Sequence, residues 1–117
     1  MANIIEKVKP IILTIGDKTY TLEFNRNSVV SAERAGLDPE QIKTAPATTI
    51  PLLFFAAFRM HHPEVTQKDT DKILLETLHG LKPEEIQRLG ELYAAPTNAL
   101  LNTSEDDGDR KNVTISL

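Results

Sequence analysis

Three groups of residues in this 117-residue chain are of types that could do chemistry, and their spacing decides whether they can. His61-His62-Pro63-Glu64 gathers two imidazoles and a carboxylate, which are zinc-donor types. A zinc site needs its ligands to converge on one centre, and adjacent residues on a helix point about 100° apart. With no HExxH spacing and no cysteine, the pair reads as helix-terminal residues facing the negative end of the helix dipole, and His79 reads the same way. Glu105-Asp106-Asp107-Gly108-Asp109 has the composition of a calcium loop. Placing Gly108 at the sixth loop position, however, leaves Thr103 at the first and Thr114 at the twelfth, where carboxylates are required. That segment reads as a solvated acidic tail. Glu84-Glu85 and Asp69 with Asp71 fall in helix first turns, where the dipole already accounts for acids. None of the five glycines belongs to a GxSxG elbow, a GxxxxGK[ST] loop or a GxGxxG turn. The sequence therefore assigns no catalytic, cofactor-binding or metal-binding residue, and the expectation is a protein that is not an enzyme.

Bulk properties narrow the partners. The net charge is −4, and the acidic surplus lies in the second half, since residues 1 to 60 hold seven of the thirteen basic and six of the seventeen acidic residues. Nucleic-acid binding wants a basic stripe to neutralise phosphates, and no window here interleaves clustered Lys and Arg with aromatics. The absence of cysteine removes disulfide stapling and thiolate chemistry. The opening Met1-Ala2-Asn3-Ile4-Ile5-Glu6-Lys7 is mixed and Pro10 interrupts early, so no secretory signal is read and a cytoplasmic location is expected. The length suits one domain, expected over residues 1–102 and followed by a flexible acidic tail at 103–117.

The elements that must position any site follow from periodicity. Residues 11–24 alternate apolar and polar on both sides of Gly16-Asp17, the pattern of a hairpin whose turn needs glycine at its first central position. A two-residue loop there pairs Ile15 with Lys18, Leu13 with Tyr20 and Ile11 with Leu22, so Ile11, Leu13, Tyr20 and Leu22 share one face. Asn25 or Asn27 can cap a helix through Val29, Val30, Ala32 and Ala35 that Gly36 closes in left-handed geometry. Asp38-Pro39-Glu40-Gln41 restarts a short helix with Asp38 as cap and Gln41 as its capping-box partner. Lys43 to Thr49 reads as a connector, with Thr48 or Thr49 starting the next helix. Thr66 to Asp69 can cap a helix bearing the stripe Ile73, Leu74, Leu75 and Leu78, which ends at His79-Gly80. Pro83 opens a last helix with Leu81 stapled to Ile86, and Ile86, Leu89, Leu92 and Tyr93 face inward until Pro96. The expected fold is α+β and mainly α, an N-terminal hairpin packed against four or five helices that run to about residue 101, with a disordered acidic tail.

The run Ile50 to Met60 is the richest stretch: nine of its eleven residues are apolar, and it holds three of the four Phe. It is too short to span a bilayer, which takes ~20 apolar residues. Such a helix is either enclosed by the domain or keeps an outer side for a partner. Phe54 and Phe58 share a face at i, i+4, while Phe55 is turned about 100° from Phe54. At least one of these Phe is expected to be partly exposed, and Phe54, Phe55, Phe58 and Met60 form the candidate partner-binding set.

Two stretches carry a family likeness: Tyr20-Thr-Leu-Glu-Phe-Asn-Arg-Asn-Ser-Val-Val-Ser-Ala-Glu-Arg-Ala-Gly36, and Pro51-Leu-Leu-Phe-Phe-Ala-Ala-Phe-Arg-Met-His-His62. Over roughly residues 10–101 their order resembles the tail assembly chaperones of long-tailed bacteriophages and prophages of Gram-positive bacteria. The resemblance implies a small, mainly helical, non-enzymatic protein of the bacterial cytoplasm. It would bind the tape-measure protein, the tail-tube protein or both during tail morphogenesis and be absent from the finished tail. It carries no functional residues to transfer. A structural tail or connector component of a phage particle would have the same size and the same lack of chemistry.

Overall fold

A computed structural model of the chain describes residues 8–101 and residue 116. Alternating β-branched and polar residues on either side of Gly16-Asp17 form the expected hairpin, β1 (Ile11–Ile15) and β2 (Lys18–Leu22), paired as Ile15↔Lys18, Leu13↔Tyr20 and Ile11↔Leu22. Gly16 supplies the positive φ, +62°, that the first central position of this turn demands. The inner face carries Ile11, Leu13, Tyr20 and the buried Leu22, whereas Ile12 on the outer face is 60% exposed.

Four α-helices follow among the described residues: α1 (Arg26–Arg34), α2 (Pro46–Phe58), α3 (Gln67–Lys72) and α4 (Pro83–Asn98). Asn25 caps α1 through a reciprocal box, its Oδ1 accepting from the Ser28 amide at 2.7 Å while Ser28 Oγ accepts from the Asn25 amide at 2.9 Å. At the other end Gly36, at φ +95°, donates to Glu33 and Leu37 donates to Ala32, a closure that turns Leu37 into the core. Removing the cap in Asn25→Ala should cost about 1 kcal/mol, read as a lower midpoint of urea unfolding at unchanged slope. Thr66 caps α3 by the same reciprocity with Asp69, and those hydrogen bonds hold the Asp69 carboxyl below the ordinary carboxylate range.

Several boundaries differ from the sequence reading. Residues Pro39–Ile42 wind as a 3-10 turn rather than an α-turn, and Asp38 Oδ1 accepts from the Glu40 amide, which leaves Gln41 without the expected capping role. Helix α2 starts at Pro46 instead of Thr48 or Thr49, because proline at the first position needs no amide partner; Thr49 is thereby an interior residue, 3% exposed. Past Lys72 the α3 helix widens into a π-helical turn, Ile73–Thr77, closed by the Leu78 amide on the Ile73 carbonyl at 2.9 Å. The extra residue of that turn rotates Leu75 out of the expected stripe, to 67% exposure, while Leu74 stays buried. Helix α4 passes through Pro96 to Asn98, since only its last turn lies beyond the missing amide. The tail expected at 103–117 lies outside the described residues, save Ser116, which is exposed.

Helix α2 is the centre of the fold. It packs against β2, α1, α3 and α4, and its Leu53, Phe54, Ala57 and Phe58 are each no more than 2% exposed. Phe54 and Phe58 meet edge to face at 5.1 Å, and Tyr20 of the hairpin meets Phe58 in the same manner at 5.4 Å. Phe24 and Tyr93 form a second such pair at 5.2 Å, and burial, reinforced by Glu33 and Asp38, pushes the Tyr93 hydroxyl above its ordinary titration range.

Candidate protein-docking surface

An all-round apolar helix is filled first by its own domain, and that decides the fate of the candidate residues. Phe54, 2% exposed, and Phe58, fully buried, are core side chains. Phe55, turned away from them, is half-buried, and the Arg59 guanidinium lies 5.6 Å from its ring centroid. That cation–π contact, with an Arg59 hydrogen bond to the Pro63 carbonyl at 2.9 Å, holds the guanidinium beside the ring. Met60 is half-buried. The four residues thus divide into two core anchors and two partly accessible neighbours.

The two histidines bind the hairpin and the residue after it. His62 Nε2 accepts from the Thr21 amide at 2.9 Å, so its lone pair is already used, and the ring stacks edge to face on Tyr20 at 5.2 Å. His61 Nε2 lies 2.8 Å from Glu23 Oε1. Among the described residues no three His, Asp or Glu side chains are grouped to hold a metal ion. Two residues beyond Thr21, just past the end of β2, the Glu23 amide donates to the Ala57 carbonyl at 3.0 Å. The outward amides of Thr21 and Glu23, beyond the β1–β2 ladder, are therefore both taken up by the C-terminal end of α2 and the residues after it. This edge of the hairpin is closed at Thr21 and Glu23.

The opposite edge is different. Thr21 gives its amide to His62, so the Ile12↔Thr21 pair exchanges no ladder bonds, and the amide and carbonyl of Ile12 point away from β2. The same alternation turns those of Thr14 outward. Among the described residues the sheet has only these two strands, so β1 presents a free edge.

Beneath the hairpin, between β1 and the start of α4, lies an apolar groove of about 180 Å³. Ile11 and Leu13 line one wall, Leu81 and Leu89 the other, with Phe54 of α2 contributing from the core. Glu84, Glu85 and Arg88 stand at the same groove. Arg88 donates through Nη2 to the Lys9 carbonyl, while its buried Nε has no hydrogen-bond partner among the described residues. A wider hollow of about 720 Å³ lies between the hairpin tip and α3; Ile15, Tyr20, Val65 and Ile73 line it, but Lys18, Lys72, Glu64 and Asp69 stand among them and make it much the more polar of the two. The smaller groove is the better docking surface because apolar walls gain free energy on being covered. Sequence reasoning missed it: Leu81 and Leu89 were legible as apolar helix positions, but the groove exists only once α4 is set against the hairpin.

No helix among the described residues is long and apolar enough to cross a membrane. A family model described as "Domain of unknown function (DUF5055)" matches residues 1–117. No curated protein and no solved structure matches the chain.

Proposed function

The chain belongs to the DUF5055 family, whose description carries no activity, and from that premise we propose that it is a non-enzymatic tail assembly chaperone of a long-tailed phage or prophage, binding the tape-measure protein, the tail-tube protein or both in the cytoplasm of the bacterial host. The observation that carries this reading is the apolar groove beside a β1 edge that has no partner strand among the described residues, a surface suited to holding protein. The sequence resemblance supplies the identity of the clients. A chaperone of this kind needs apolar surface that it can cover transiently, and groove, Phe55 and Met60 together supply it without opening the core.

The test is co-expression of the tagged chain with the tape-measure and tail-tube proteins encoded beside it. The chain should retain at least one of them in the soluble fraction, and purified mature particles should lack it. Particles that keep the chain at fixed stoichiometry would instead make it a structural tail or connector component.

A further inference from the structure

We infer that the free edge of β1, together with the groove below it, is where the client docks, and that the client binds as an extended strand with apolar side chains at alternate positions. The inference rests on the chaperone reading and adds to it the surface and the conformation of the bound segment.

Two observations select a strand over a helix or a second folded domain. The outward amide and carbonyl groups of Ile12 and Thr14 form a row that only another extended backbone can satisfy in full. Ile11 and Leu13, which alternate with them along β1, already line the groove, so a third strand laid beside β1 would extend the roof and send every second side chain down towards Leu81 and Leu89. Glu84 and Glu85 are exposed beside this surface, so a basic residue flanking the apolar positions would find complementary charge. The hairpin suits this use because its other edge is locked to α2, which holds β1 in place while it accepts a partner.

The structure also provides a variant that touches the edge alone. The Ile12 amide makes no ladder bond, so Ile12→Pro should leave the hairpin and its melting temperature nearly unchanged while removing a docking donor and placing a ring in the path of a third strand. Ile12→Thr, which keeps the amide and suits a strand, is the control, and Thr14→Pro is the second edge variant. With the full chain and co-expressed tape-measure and tail-tube proteins, we expect Ile12→Pro and Thr14→Pro to retain at least tenfold less client than the parent, and Ile12→Thr to retain as much. Amide hydrogen exchange reads the same site without any substitution: in the isolated chain Ile12 and Thr14 should exchange fast beside a protected Leu13, and both should become protected in the complex. Proline variants that fold and still hold client like the parent would overturn the strand-edge site and leave the chaperone reading standing. A parent chain that captures neither protein would overturn the chaperone reading and the inference with it. Ile12 and Thr14 amides protected in the dilute isolated chain would show the edge filled by the chain's own residues. Protection that appears only as the chain is concentrated would show it filled by a second copy. Either result overturns the proposal.

Discussion

Phe58→Ala should destabilise the protein by ~3–5 kcal/mol, the largest effect expected from any single substitution in α2. Phe58 has no exposed surface and is gripped on two sides, by Phe54 one helical turn back and by Tyr20 from the hairpin, so truncation opens a cavity that neither neighbour can fill without leaving the other. A loss of that size is a large share of the ~5–15 kcal/mol that holds a typical domain together, and the variant should sit close to its unfolding transition at room temperature. Phe55→Ala is the internal comparison. The side chain is half-buried and its main neighbour is the long, adaptable Arg59, so its removal should cost well under half as much. Urea unfolding of the two variants checks the claim, and equal losses would mean that the helix is enclosed on every side.

His62→Ala should also destabilise the protein strongly, though by less than Phe58→Ala. The imidazole is the acceptor for the Thr21 amide and fills space against Tyr20 and Phe58, so alanine leaves a part-buried amide without a partner, about 1–3 kcal/mol, and removes ring packing besides. His62→Gln separates these contributions, because a glutamine carbonyl can accept from the same amide. It should recover part of the loss. The loosened element would be the hairpin, so the Thr21 amide should exchange faster with solvent in His62→Ala than in the parent, while amides within α4 keep their relative protection. If Thr21 exchange is unchanged, the hydrogen bond contributes nothing to docking the hairpin.

What could be read from the sequence was whatever local chemistry decides. The hairpin register follows from a period of two interrupted by one Gly-Asp pair, and a slip by one residue would have turned either Ile11 and Leu13 or Tyr20 and Leu22 to solvent. The starts of α1, α3 and α4 follow from Asn25, Thr66 and Pro83, residues that satisfy or dispense with unpaired amides at a helix end. The start of α2 did not follow, because Pro46 between alanines carries a breaker signal and a first-position signal at once, and only the packing of the residues after it chooses between them. Leu75 was misplaced because a π-helical turn has no sequence signature of its own. The candidate partner-binding set was drawn from apolar content, which cannot tell a core from a surface; tertiary burial resolves it, taking Phe54 and Phe58 inward and leaving Phe55 and Met60 part-accessible. The docking groove and the free strand edge were invisible for the same reason, since each is defined by which neighbour an element lacks.

The π-helical turn has a consequence for lineage. A turn closed by five residues instead of four holds one residue more than an ordinary helical turn, and here the surplus is carried at Leu75, the most exposed large apolar side chain described. Removing that residue would return the segment to regular α-helix and bring Leu74 and Leu78 from four apart to three, a spacing that still shares one face. Chain length can therefore drift at this point without disturbing the residues that enter the core. Descendants of a common ancestor can differ by one position here while the hairpin and α2, whose registers tolerate no such slip, keep their length.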